Sequence, residues 1–124
     1  MSAVTIKAVE EVGYYQGPKA VPGIKFRYAG RELGVAAWGM NVIEIEPGCT
    51  LYPDHDHLGD GQEEVYLVLR GSATLHADGQ EFPVTEGALI RVEPAAKRKF
   101  LPGPNGVTFL ALGGTPGKAY VSRR

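Results

Sequence analysis

The stretch that decides the fold runs from Gly48 to Gly71, GCTLYPDHDHLGDGQEEVYLVLRG. It holds two of the chain's three histidines, a run of acids, a Gly-rich kink and an apolar segment ending on glycine. His55 and His57 stand at i and i+2, which in an extended segment puts both imidazoles on one face. Glu63 and Glu64 then open the run EEVYLVLRG. Two imidazoles and a carboxylate on neighbouring strands are the donor set that Zn, Fe, Mn, Ni or Cu takes from a protein. The competing description of the same residues is a polar loop whose histidines flank solvent and bind nothing.

Period two extends in both directions from this stretch. From Glu64 onward, Glu64, Tyr66 and Val68 share one face and Val65, Leu67 and Leu69 the other, with Gln62 on the face of Glu64. A strand apolar on both sides needs an outer cover, from a second sheet, the N-terminal segment or another subunit. Upstream, Gly34 to Glu46 alternates so that Asn41 joins Ile43 and Ile45, while Trp38, Met40 and Val42 take the opposite face. Asn41 is thereby a polar group on a barrel-lining row, placed either to contact a ligand or to bond neighbouring backbone. Downstream, Arg70-Gly71 predicts a tight hairpin turn that would send Ala73, Leu75 and Ala77 inward and His76 outward. Asp78-Gly79 is the strongest hairpin signal in the chain, and Phe82 and Val84 continue the inner face.

The remaining segments are short. Residues 1–12 read as an edge strand and Ile24 to Tyr28 as another, with a turn at Ala29 to Arg31. Thr85 to Gly87 is a turn, Ala88 to Val92 a strand, Leu101 to Gly106 a loop and Val107 to Leu112 a strand. The 17 Gly and 9 Pro suit many turns between short strands. The expectation is eight to ten strands without a helix, an all-β sandwich or barrel.

Composition excludes several classes. A 124-residue chain, 44% hydrophobic and 22% charged, is long enough for one real core. A net charge of −1 offers no basic footprint for nucleic acid. No apolar run reaches the roughly 20 residues of a membrane helix, and the opening residues MSAVTIKAVEEV lack a signal-peptide core. The single Cys49 forbids an internal disulfide and agrees with a cytoplasmic location.

The pattern Gly48, His55-x-His57, Glu64, Gly71 resembles the first motif of the cupin superfamily, with both inner gaps longer than usual. Glu64 rather than Glu63 matches the motif glutamate, because six residues separate it from Gly71. The stretch GALIRVEPAAKRKF, from Gly87 to Phe100, resembles the second motif. There Pro94 matches, Ala96 stands where glycine is usual, and Lys99 stands where a metal-binding histidine is usual. The resemblance implies an all-β fold, a small antiparallel double-stranded β-helix or jelly-roll-like cupin barrel. It would form one domain over residues 1–124, with the core barrel at about 34–114 and N-terminal strands 1–33 packed on it.

The function implied is binding of a small molecule in the barrel beside a divalent metal (Zn, Fe, Mn or Ni) held by His55, His57 and Glu64. Asn41, Gln62, Tyr66 and Lys99 are the candidate ligand contacts. Lys99 cannot ligate while protonated and would repel a cation; the basic cluster Lys97, Arg98 and Lys99 is otherwise a solvated face, or one of the three faces the cavity mouth and pairs with a substrate carboxylate or phosphate. Two further readings are a metal-dependent enzyme of oxygenase or isomerase type and a metal-free sensing or scaffold barrel. The two apolar outer rows, centred on Leu67 and Met40, predict a homodimer.

Overall fold

The computed structural model describes residues 3–122. Six strands carry the fold: β1 (Ile24–Arg27), β2 (Gly39–Ile45), β3 (Glu63–Ala77), β4 (Gln80–Thr85), β5 (Leu89–Val92) and β6 (Arg98–Gly114). All pairings are antiparallel, in the order β1-β2-β6-β3-β4, and β5 pairs with β3 beside β4. No helix among the described residues is long and apolar enough to cross a membrane.

The strands are fewer and longer than expected. β3 passes straight through Arg70-Gly71, so the predicted hairpin there does not exist; instead the β3–β6 register shifts between Val68 and Arg70 and again between Gly71 and Ala73. The cause is local. Gly71 has a φ of 76°, and a Cβ on it would lie 2.1 Å from the carbonyl oxygen of Gly106. The glycine that signals a turn here serves a bulge, which bends the strand and keeps it paired. β6 is continuous through residues 101–106, expected as a loop: Leu101 and Pro102 pair with β3, and residues 103–106 take up the register shift.

Residues 3–12 form no edge strand; a 3₁₀ turn, Val9–Glu11, stands there, and residues 1–2 lie outside the described residues. The turn expected at Ala29 is a one-turn helix, α1 (Ala29–Leu33), closed by Gly34 in the left-handed region. Asp78-Gly79 is the expected tight hairpin, with φ of 51° and 74° and Ala77 opposite Gln80. His76 lies outward as expected, half-buried, opposite Lys99 and 3.8 Å from Glu81. That outcome follows from the bulged register and not from the hairpin that predicted it.

The core fills the barrel from the closed end. Phe100 and Phe109 are 0% exposed and stack with ring centroids 4.5 Å apart. Tyr66 meets both edge-on, and Tyr52 closes the group against Phe100. Truncating such a ring removes transfer energy and leaves a cavity. Phe100→Ala is therefore expected to cost about 3–5 kcal/mol, readable as a lowered midpoint in urea unfolding. A variant as stable as the wild type would show that the rings are not packed as described.

Candidate metal centre

The loop before β3 delivers both histidines. His55 is stitched to the start of β6 by two backbone hydrogen bonds, from its N–H to the Arg98 carbonyl (3.0 Å) and from the Arg98 N–H to its own carbonyl (2.8 Å). His57 donates its N–H to the Pro94 carbonyl at 2.8 Å. Two anchors at i and i+2 hold the segment extended, so both rings project the same way, as the spacing predicts. Glu64, second residue of β3, points at them from across the barrel.

The side chains converge on one atom. Glu64 Oε1 lies 3.3 Å from His57 Nε2 and 3.8 Å from His55 Nε2. One donor atom from each of the three residues falls within 4.8 Å of the others, so the group could hold a metal ion. The outer nitrogens are engaged: His57 Nδ1 lies 3.0 Å from Asp60 Oδ1 and His55 Nδ1 lies 3.1 Å from the Pro53 carbonyl. A carbonyl or carboxylate only accepts, so each Nδ1 carries the proton and each Nε2 presents a lone pair to the centre. Three lone-pair donors facing one another repel unless a cation or a proton sits among them. The donor set therefore fits a divalent ion.

The electrostatics agree. The facing Glu64 carboxylate raises the His55 pKa above its ordinary value, against the opposing effect of burial. Burial alone would raise the Glu64 pKa. Contacts with His55 and Tyr66, the neighbouring His57 and the charge of Arg98 outweigh it and hold the carboxyl below its usual range. Burial pushes the phenols of Tyr52 and Tyr66 up. Tyr66 thus stays neutral and donates its O–H to Glu64 Oε1.

The centre opens into a chamber of about 260 Å³ that Asn41, Gln62 and Tyr66 line together with the three donors. Of the sequence candidates, only Lys99 is not brought there. β6 begins at Arg98, and alternation sends Arg98 and Phe100 inward, fully buried, and Lys99 outward opposite His76. A turn from Glu93 to Ala96, closed by a 3.2 Å backbone hydrogen bond, takes up the extra residue in the second motif. The inward position thus falls one residue earlier than sequence matching places it.

Where sequence matching singles out Lys99, the residue of the 97–99 basic cluster that turns inward is Arg98. Its Nη2 donates to the Glu93 carbonyl at 3.2 Å and stands 3.8 Å from Glu64 Oε1. Its Nε and Nη1 are buried without a hydrogen-bond partner among the described residues. The available signal was its i, i+2 relation to Phe100, masked by two neighbouring lysines. Asp60, which orients His57, was passed over in the Gly-rich kink. So was Tyr120, whose ring closes the chamber from the C-terminal tail. Gly113, opposite Glu64 in the β3–β6 register, keeps room for Gln62: a Cβ there would lie 2.8 Å from the Gln62 side-chain oxygen.

No curated protein matches the sequence significantly. Among solved structures the chain is similar to a sugar phosphate isomerase of the cupin superfamily from Silicibacter pomeroyi, with 22% identity, TM-score 0.75, and 90% of this chain and 77% of that one covered. It is also similar to a cupin protein from Bacteroides fragilis, with 18% identity, TM-score 0.62 and coverage of 88% and 90%. A third similar structure is a predicted oxalate decarboxylase from Thermotoga maritima, with 16% identity, TM-score 0.67 and coverage of 88% and 97%. At these identities the likeness carries the fold. A cupin-domain model matches residues 41–111, more than half of the chain and the span that holds both histidines and Glu64, and the chain accordingly belongs to the cupin family.

Proposed function

We propose that this cupin binds a small molecule in its barrel beside a divalent metal ion (Zn, Fe, Mn or Ni) held by His55, His57 and Glu64. The observation that carries the reading is the meeting of two Nε2 lone pairs and one carboxylate oxygen within 4.8 Å. Three protein ligands leave coordination positions for water or for a ligand atom, and Asn41 and Gln62 supply polar contacts beside them. The raised pKa values of Tyr52 and Tyr66 keep both phenols protonated near neutral pH. They serve as hydrogen-bond donors beside the centre. Elemental analysis of protein purified without an affinity tag, followed by titration against a chromophoric chelator, tests the reading. Protein that carries no transition metal and takes none up overturns it.

The chain is further proposed to form a homodimer through the outer face of the sheet. Val65 pairs with Leu112 and Leu67 with Leu110 on β6, while Leu89 on β5 sits opposite Leu67. Met40 extends the same face on β2, where Val42 is already buried within the chain. Leu89 is 75% exposed and its neighbours Leu67 and Leu110 are half-buried, an apolar stripe of the kind that marks interfaces. Light scattering should give twice the 13.3 kDa chain mass, and Leu89→Glu should shift the protein to monomer. A wild type that is monomeric at micromolar concentration rules the dimer out.

A further inference from the structure

A second cavity, of about 490 Å³, opens between residues 15–31 and the barrel wall. It shares Phe26, Ile43, Tyr52 and His55 with the chamber of the metal centre, so these four side chains are the partition between the two. Its own walls are aromatic and apolar: Tyr15, Ile24 and Tyr28 join Phe26. The volume lies in the range that encloses a small organic ligand.

The charges around it are of one sign. Lys19 and Arg31 line the cavity, and no Asp or Glu does. Neither makes an ion pair among the described residues; the Arg31 guanidinium lies over the Tyr28 ring, 5.5 Å from its centroid. The neighbouring cations Lys25 and Arg27 do not line it. Arg27 pairs with Glu44, and Lys25 lies over the ring of Tyr14. Two unpaired cations at an aromatic-walled cavity favour a ligand that is anionic at one end and flat and apolar in its body.

We propose that this outer chamber binds an organic anion, a carboxylate or a phosphate monoester on an aromatic body. The anionic group meets Lys19 and Arg31, the body packs on Tyr15, Phe26 and Tyr28, and the far end reaches the partition at His55. This deepens the proposed function by naming the ligand class, and rests on it only for the role of the far end. The anion-holding residues are remote in sequence from the metal donors, so the two readings fail separately.

The test uses the full chain dialysed against EDTA, titrated calorimetrically with 3-phenylpropionate, phenyl phosphate and the neutral 3-phenylpropionamide. A charge-assisted hydrogen bond is worth enough for the favoured anion to bind roughly tenfold or more tightly than the amide. The ratio between the two anions tells whether the site prefers a carboxylate or a phosphate. The double variant Lys19→Ala/Arg31→Ala should bring anion and amide to equal affinity. Both residues are exposed, so the change leaves the core untouched, which circular dichroism checks. Equal binding of anions and amide by the wild type, no binding of either anion, or an unchanged anion preference in the double variant overturns the proposal. Metal uptake measured in a separate sample is unaffected by any of these results and reports on the metal reading alone.

Discussion

His57→Ala is expected to abolish tight binding of a divalent cation while leaving the barrel folded. The ring is half-buried at the chamber wall and packs outside the aromatic core, so its loss removes a donor without opening the centre of the protein. The anchoring hydrogen bond to Pro94 is made by backbone and survives the change. Asp60→Asn grades the effect. An amide can still face Nδ1 but removes the negative charge that fixes the tautomer and raises the basicity of Nε2. Such outer partners typically contribute about 10–100-fold in metal affinity, and the direct ligand should contribute more. Binding should also weaken as pH falls: Glu64 raises the His55 pKa, so protons compete for its Nε2. Chelator competition on wild type and both variants reads all of this. Equal metal affinity in wild type and His57→Ala would falsify the assigned centre.

Arg98→Met should have the opposite effect and tighten metal binding. An ion bonded to Glu64 Oε1 would lie close to a guanidinium whose nearest nitrogen is 3.8 Å from that oxygen. Even at an effective dielectric of ~20, a divalent and a monovalent cation at about 5 Å repel by several kcal/mol. Relaxation absorbs much of this, and an affinity gain of about tenfold or more is the expected residue. Arg98 also raises affinity by helping to hold Glu64 ionised, but near neutral pH a carboxylate already below its usual range gains little from that. Methionine has a similar stem and no N–H groups, whereas Arg98 buries two nitrogens without a hydrogen-bond partner among the described residues. Removing one partner of a buried pair leaves the Glu64 charge less compensated and costs stability, so the metal-free variant should melt below the wild type, and circular dichroism checks that it folds. The metal-induced rise in melting temperature should exceed that of the wild type, because tighter binding to the folded state stabilises it more. A folded Arg98→Met protein with weaker or unchanged metal affinity would show that Arg98 supports the centre instead of opposing it. Lys99→Met, on the outer face, should change nothing in the same titrations.

Local chemistry was legible in the sequence wherever it repeats every two residues or sits in a single turn. His55 and His57 share a face because extended geometry requires it, and Glu64 rather than Glu63 followed from the resemblance to the first cupin motif. Asn41 with Ile43 and Ile45, and Tyr66 with Glu64, were placed on one row by alternation alone, and all but Ile45 line the chamber of the candidate centre. Asp78-Gly79 announced its hairpin because few residue pairs accept two positive φ angles. Tertiary pairing decided the rest. Gly71 carries the same signal for a turn and for a bulge, and only the approach of Gly106 from β6 selects the bulge. Residues 101–106 read as a loop by their prolines and glycines, yet β6 runs on through them; β3 pairs with Leu101 and Pro102, and residues 103–106 fall in the register shift before Val107. The inward residue of the second motif depends on how many residues the turn at Glu93 to Ala96 absorbs, and a slip of one exchanges Lys99 for Arg98. A side chain's face is set by local alternation, but the phase of that alternation is set by the strand beside it, and a single sequence does not contain its neighbour's register.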